Sequence, residues 1–328
     1  MCMIIDISNK VFGKENRSYL MGISIIWIVF FHIYLWSKIS EIETTWWIDL
    51  FDKGALGVDM FLLLSAYGLQ ASIERNSLGT FYRNRIKRMF PLYIYFLLTV
   101  FLTFERHCPI DRIMLQCLCQ VTGLSLFMYP DFFSCGFCFD WFTPAILLVY
   151  TVFPIISKFV QWMKRKGIIY ELITMALCVV VGVWIRENKH FPFGLLAIRF
   201  PIIYLGVTAY IHIKDREVQQ LLLLVVITAC MGLLSGNEEM RISLLLPPLL
   251  TTFAIVTFNK PFIKCISYVG QYSYEVYLAH IFPVAFFIPL KLTDSMSLIV
   301  AVTIASTVVL TIFYAYLQKM FLIRFTQS

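Results

Sequence analysis

Long apolar runs alternate with short polar segments along the whole chain. A helix needs about 20 consecutive apolar residues to cross the hydrocarbon core of a bilayer, and most of these runs approach that length. The pattern predicts an all-α, polytopic membrane protein with about ten transmembrane helices. We place the ten helices at residues 18–37, 55–72, 90–105, 141–157, 168–186, 194–212, 219–234, 242–258, 273–291 and 296–318.

The composition points to the same class of protein. Hydrophobic residues make up 59% of the chain and charged residues 14%, with a mean hydropathy of +0.78, whereas soluble domains are roughly 45–50% apolar and 25% charged. The first apolar run is long and aromatic and lacks a small-residue cleavage site, so we expect a retained helix rather than a signal peptide. We expect residues 1–328 to form one transmembrane domain without a soluble appended domain.

The net charge of +7 raises the question of a nucleic-acid partner, and the location of the charge answers it. When the predicted loops are assigned alternately to two sides, 18 of the 27 Lys and Arg residues fall on the side that holds both termini, and eight on the other. Because cytoplasmic loops carry an excess of Lys and Arg, we predict that both termini are cytoplasmic. The basic residues then reflect membrane topology, and no nucleic-acid partner is expected.

The stretch at residues 113–129 is apolar enough to form an eleventh span. If it crossed the membrane, every later loop would change sides and the Lys164, Arg165 and Lys166 cluster would face outward. We therefore interpret this stretch as re-entrant or as lying at the outer surface.

The nine cysteines are scattered along the chain. Cys135 and Cys138 have the spacing of a metal-binding pair, but a zinc site needs a second pair, for which Cys117 and Cys119 are the candidates. Cysteines in apolar membrane segments are usually packing residues, so we predict no metal site. A disulfide on the outer side, among Cys108, Cys135 and Cys138, is the preferred alternative.

We single out five ionisable residues within the predicted spans, because an ionisable group inside the membrane costs a few kcal/mol and is therefore a candidate functional residue. They are His32, Asp59, Arg199, Glu275 and His280. His32 lies roughly 21 Å above the cytoplasmic end of the first helix, and Asp59 and Arg199 begin inward-running helices, so these three share the outer half of the membrane. Pairing of Asp59 with Arg199 or with His32 would satisfy the buried charges and orient the imidazole. A purely structural clamp between helices is the alternative.

Glu275 and His280 are five residues apart, or about 140° around a helix axis. They cannot both face one site squarely, so we expect one of the two to be structural.

A basic segment at residues 81–91 lies on the cytoplasmic side of the third predicted helix, and Pro91 is expected to begin that helix. Arg83, Arg85 and Arg88 offer planar donors that suit phosphate. The alternative is a topology signal or a contact with lipid headgroups.

Six segments together resemble the membrane acyltransferase 3 family of bacterial O-acyltransferases, nearly from end to end. His32 takes the position of the essential histidine of that family, and Arg85 and Arg88 have its Arg-x-x-Arg spacing. The matching segments are residues 20–32, residues 57–68 with Asp59 and Ser65, residues 81–91, Trp141-Phe142, Arg199-Phe200-Pro201-Ile202 and residues 273–280 with Glu275 and His280.

Two positions depart from the family pattern. Met21 stands where the family has an arginine, and Arg17 lies one turn earlier on the same helical face, from which it could substitute for that arginine. Ala66 replaces a usual glycine, which implies a small difference in helix packing.

The resemblance implies transfer of an acyl group, usually acetyl, from cytoplasmic acyl-CoA to a hydroxyl of a lipid-linked or exported glycan at the bacterial inner membrane. It implies catalytic roles for His32, Asp59 and Arg199, and binding of CoA phosphates by Arg83, Arg85 and Arg88. His32 would act as a general base or form an acyl-histidine. Membrane lipids are further expected partners.

Two other classes of protein remain open from the sequence. A polytopic transporter or flippase of a glycan or small anion would use the intramembrane charges as a substrate or proton pathway, although the inverted repeats typical of transporters are not visible. A non-catalytic membrane scaffold or sensor is disfavoured by the cost of those charges.

Overall fold

The computed structural model describes residues 14–104, 108–128, 140–188, 193–245, 260–291, 293 and 295–327. Every regular element in these ranges is helical, which confirms the all-α prediction. The thirteen α-helices are α1 (Lys14–Ile39), α2 (Trp46–Asp49), α3 (Gly57–Arg75), α4 (Leu78–Phe104), α5 (Ile110–Thr122), α6 (Phe142–Lys166), α7 (Ile168–Asn188), α8 (Phe193–Ala197), α9 (Phe200–Lys214), α10 (Val218–Leu234), α11 (Lys260–Gln271), α12 (Ser273–Phe287) and α13 (Met296–Gln327). Two short 3₁₀ helices lie at Gly54–Leu56 and Leu124–Phe127, and residues 238–245 are also helical.

Seven segments of the described chain are long and apolar enough to cross a membrane. They are Asn16–Ile39, Trp46–Arg75, Leu78–Thr103, Phe142–Lys166, Ile168–Asn188, Phe193–Lys214 and Met296–Ile323. The chain is therefore a multi-pass membrane protein. Of the other three predicted spans, the seventh corresponds to the shorter apolar helix Val218–Leu234, residues 246–258 of the eighth lie outside the described residues, and the ninth corresponds to α12, a helix of 15 residues.

Residues 113–128, the described part of the apolar stretch, do not form a helix long enough to cross a membrane. α5 has 13 residues, which gives a length of about 20 Å, shorter than the hydrocarbon core of about 30 Å. The helix ends at Gly123, whose φ of 80° lies in the left-handed region that favours glycine. Its polar residues Gln116 and Gln120 are buried, whereas Met114 and Leu118 are exposed. The apolar face of α5 thus points away from the protein, as expected for a helix in contact with lipid.

The expected helix start at Pro91 is wrong. Pro91 lies inside α4, which begins thirteen residues earlier at Leu78. Ser77 caps this helix, because its Oγ accepts a hydrogen bond from the N–H of Thr80 at 3.3 Å. The basic segment is therefore helical rather than a loop.

The chain divides into two compact units. The first comprises Met1–Leu64 and Leu249–Ser328, and the second Ser65–Pro248. In the first unit, α1 packs closely on α11: a side chain at Gly22 would meet Ile266, and one at Gly270 would meet the Ser18 carbonyl. Val29 and Ile33 of α1 pack with Val284 of α12 in an apolar core. This packing fixes the register between α1 and α12.

In the second unit, α4 contacts α6 through aromatic side chains near Phe81. The Phe81 and Phe153 rings stack with centroids 6.2 Å apart, and the Tyr82 hydroxyl donates to the Thr151 carbonyl at 2.8 Å. The chain breaks between α8 and α9 around Arg199, two residues before Pro201. Pro201 lies in the first turn of α9, where its missing N–H breaks no helix hydrogen bond, so the new helix can begin there.

Candidate active site

His32 lies on α1 and contacts His280 of α12 in the first unit. Its Nδ1 is 3.0 Å from the Ile28 carbonyl, one turn back on the same helix, and 3.1 Å from Nε2 of His280. The two ring centroids are 4.9 Å apart. The structure therefore brings together two of the five ionisable residues that the sequence singled out.

His280 is fully buried, and His32 is half-buried. The Nδ1 of His280 is 3.2 Å from the Val276 carbonyl, so each imidazole turns back toward the preceding turn of its own helix. Among the described residues, no hydrogen-bond partner meets Nε2 of His32. This nitrogen is the one position in the pair that remains available to a reacting group.

Asp59 and Glu275 are also buried in the first unit, and each lies in the first turn of its helix. The positive end of a helix dipole stabilises a carboxylate at that place. A side chain at Gly57, two residues before Asp59, would come within 2.6 Å of the Ser24 carbonyl and 2.8 Å of Ile28. α3 can approach α1 this closely because Gly57 has no side chain. The predicted pairing of Asp59 with His32 or Arg199 stays a prediction.

Arg199 is 2% exposed and lies at the break between α8 and α9 in the second unit. Its Nη1 donates to the Leu195 carbonyl at 2.7 Å and is 3.4 Å from the Glu239 carboxylate. The guanidinium also lies over the ring of Trp141, 5.3 Å from its centroid. Arg199 and the motif residue Trp141 are thus neighbours.

Glu239 is a residue that sequence reasoning missed. Besides Arg199, it binds Arg186, whose Nε is 2.8 Å from its carboxylate. This shared partner brings Arg186 and Arg199 together in the second unit. An acidic residue in a short polar loop carries no signal that distinguishes it from a solvated one, so only the fold reveals this role.

The three arginines of the basic segment differ in their exposure to solvent. Arg83 and Arg88 are exposed, whereas Arg85 is half-buried. Its guanidinium lies 5.4 Å from the Phe81 ring and 5.8 Å from the Tyr150 ring, and among the described residues its buried Nε has no hydrogen-bond partner. Two aromatic rings and an unpaired donor make Arg85 the best anion ligand of the three. Ser65, on α3 in the same unit, is half-buried.

The second unit contains a further buried polar cluster that sequence reasoning missed. His212 is fully buried at the end of α9, and its Nε2 is 2.9 Å from Glu171 and its Nδ1 2.9 Å from Glu217. Lys164 binds both Asp215 and Glu217. This hydrogen bond from Lys164 is the main reason why the pKa of Glu217 lies below its ordinary value. In the sequence these residues lie near lysines at the predicted cytoplasmic ends of helices. This pattern resembles a topology signal.

Among the described residues, no group of three or more His, Cys, Asp and Glu side chains has the arrangement of a metal site. The expected outer-side disulfide depends on Cys135 and Cys138, which lie outside the described residues, so it stays a prediction.

The long apolar helices and the buried, mutually bonded imidazoles define an integral membrane protein with a candidate proton-transfer site. The chain belongs to the acyltransferase 3 family, because the acyltransferase-domain model of that family matches residues 18–316. This result confirms the resemblance of the six motifs. No curated protein and no solved structure matches the chain.

Proposed function

We propose that this protein is an O-acyltransferase, and in the simplest case an O-acetyltransferase, that uses cytoplasmic acyl-CoA as donor. The acceptor is a hydroxyl of a cell-envelope or exported glycan. The single observation that carries this proposal is the match to an acyltransferase domain over residues 18–316. The transporter alternative gains no comparable support.

The proposed reaction uses Nε2 of His32 as the general base. This nitrogen takes the proton of the acceptor hydroxyl while the hydroxyl oxygen attacks the thioester carbonyl. The C–S bond then breaks, and the proton on His32 passes to the CoA thiolate, so the products are an O-acyl ester and CoA thiol. Asp59 and Arg199 are assigned to orient the imidazole or to stabilise developing charge.

Arg83, Arg85 and Arg88 are assigned to the phosphates of CoA. Arg85 supports this assignment best, because a half-buried guanidinium with an unpaired Nε needs an acceptor. Charged hydrogen bonds contribute about 1.5–3 kcal/mol each, which corresponds to about 10–100-fold in affinity.

The proposal includes the location of the protein. We infer a multi-pass protein of the bacterial inner membrane with ten spans and both termini in the cytoplasm, supported by the excess of Lys and Arg on the side that holds the termini. In this orientation α4 begins on the cytoplasmic side, where acyl-CoA is available.

The test of the proposed function starts from purified protein in lipid vesicles, labelled acetyl-CoA and an extract of envelope glycans. We expect label on the glycan as an alkali-labile ester, with release of CoA thiol, and an about 10²–10⁴-fold loss of transfer for His32→Ala. Release of one CoA per protein molecule without acceptor would indicate an acyl-histidine instead of a general base. Protein that neither binds nor consumes acetyl-CoA would contradict the proposal.

The arginine assignment has its own test, because Arg165 is an exposed arginine on α6 outside the basic segment. We expect Arg85→Ala to weaken acetyl-CoA binding by about 10–100-fold and Arg165→Ala to leave it unchanged. If both variants bind acetyl-CoA with equal affinity, the basic segment serves as a topology signal and not as a CoA site.

A further inference from the structure

We propose that His280 is the positioning residue of this active site: its Nε2 accepts a hydrogen bond from the Nδ1–H of His32 and thereby leaves Nε2 of His32 as the basic nitrogen. The role rests on the proposed acyl transfer by His32. The underlying hydrogen-bond arrangement, however, can be measured without any activity.

His280 is the fully buried member of the histidine pair. A backbone carbonyl only accepts hydrogen bonds, so the contact between Nδ1 of His280 and the Val276 carbonyl requires a proton on that nitrogen. Burial without a carboxylate partner favours the neutral ring, and a neutral ring carries one proton. Nε2 of His280 therefore presents a lone pair toward His32.

The contacts of Nδ1 also determine the tautomer of His32. Its Nδ1 faces two acceptors, the Ile28 carbonyl at 3.0 Å and Nε2 of His280 at 3.1 Å. A proton on Nδ1 satisfies both, in a hydrogen bond shared between two acceptors. The other tautomer would direct the lone pair of Nδ1 at a carbonyl oxygen and at a second lone pair. The arrangement thus places the lone pair of His32 on Nε2, the nitrogen that has no hydrogen-bond partner among the described residues.

His280 also acts after the proton has moved. Once Nε2 of His32 has taken the hydroxyl proton, the imidazolium still donates from Nδ1 to His280 and to the Ile28 carbonyl, and these dipoles stabilise the charge where water is scarce. The proton on Nε2 then passes to the CoA thiolate. His280 neither gains nor loses a proton in this cycle.

Two substitutions separate an acceptor at position 280 from simple packing. In His280→Leu the acceptor is lost at similar volume, so we expect kcat to fall by about 10–100-fold with the KM for acetyl-CoA unchanged. In His280→Gln the side-chain oxygen reaches the position of Nε2, and we expect most of kcat to return. Equal losses in both variants, or a change confined to KM, would overturn the positioning role.

Nitrogen NMR of ring-labelled histidine tests the arrangement directly, because the chain has five histidines and the His32→Gln variant assigns the signals of His32. We expect the Nδ1–H tautomer of His32 in the unaltered protein, and a mixture of tautomers in His280→Leu. An Nε2–H tautomer in the unaltered protein would overturn the inference even if His280→Leu fails to fold. Retained transfer in His32→Ala would instead refute the role of His32 as base and leave the tautomer result standing.

Discussion

Two fully buried histidines, one in each unit, have opposite surroundings. His280 meets a backbone carbonyl and another imidazole, whereas His212 lies between the carboxylates of Glu171 and Glu217. In the first case, Nε2 of His32 has no hydrogen-bond partner among the described residues. In the second, both ring nitrogens are already bound.

This difference separates a candidate catalytic histidine from a structural one. A general base needs a lone pair that no protein donor binds, and Nε2 of His32 has no such donor among the described residues. The carboxylates of Glu171 and Glu217 bind the two ring nitrogens of His212. These contacts connect α7, α9 and the start of α10. Burial of a histidine within a membrane protein is thus insufficient evidence of catalysis, and the hydrogen-bond partners of the ring decide the question.

The largest expected effect within this comparison comes from removal of Glu171, which is 1% exposed. His212 then loses a buried hydrogen-bond partner, and a buried polar group left unsatisfied costs about 1–3 kcal/mol, or more when it is charged. We expect Glu171→Leu to lower the free energy of unfolding by this amount, measured by denaturant or thermal unfolding in detergent. The transfer rate per folded molecule should stay close to that of the unaltered protein.

Glu171→Gln is the matched control, since its amide oxygen still accepts a hydrogen bond from His212, and its loss should be smaller. A large loss of catalytic rate in folded Glu171→Leu would break the distinction between the two histidines.

The sequence singled out both histidines of the candidate site but did not predict that they contact each other. Both His32 and His280 stand out because ionisable residues are rare in apolar spans. Their contact joins residues 248 positions apart, and it depends on the register between α1 and α12, which close packing of side chains sets. Helical periodicity on a single helix cannot supply that register.

The missed elements have a related cause. α11 has polar and basic positions among its apolar ones, which kept it out of a search for long apolar runs. Glu239 and His212 lie at the ends of spans, where charged residues are expected and carry no signal. The seven long apolar helices of the described chain were predictable because the bilayer requires such helices, whereas polar partners at helix ends are selected by tertiary structure.

A substitution at Gly57 tests the surroundings of His32, and we expect it to have a smaller effect than Glu171→Leu. A methyl group there would press on the Ser24 carbonyl at 2.6 Å and on Ile28 at 2.8 Å, and Ile28 provides the carbonyl that binds His32. Overpacking typically costs about 1–3 kcal/mol. We expect Gly57→Ala to lower the free energy of unfolding by about this amount and also to lower the transfer rate per folded molecule.

Gly79 provides the control for this prediction, because a side chain there meets nothing within 4 Å. Gly79→Ala should leave the rate unchanged and, through better helix propensity, keep or slightly raise stability. A full transfer rate in folded Gly57→Ala would show that the position of α1 tolerates more movement than the His32 contacts imply.

The smallest expected effect is the acid response of the His212 cluster. Hydrogen bonding from Lys164 lowers the pKa of Glu217 below its ordinary value of 4.5. A carboxyl group whose pKa is lower in the folded state adds stability that is fully present above the unfolded pKa, and this stability is lost as the pH falls through the folded pKa. Because Glu217 is 35% exposed, its ion pair contributes at most about 1 kcal/mol.

We expect the unaltered protein to unfold at a higher temperature than Glu217→Gln at pH 7, and the two unfolding temperatures to converge as the pH falls below 4.5. Two parallel curves across this range would place the acid response outside the cluster, and Glu217 would then not serve to hold His212.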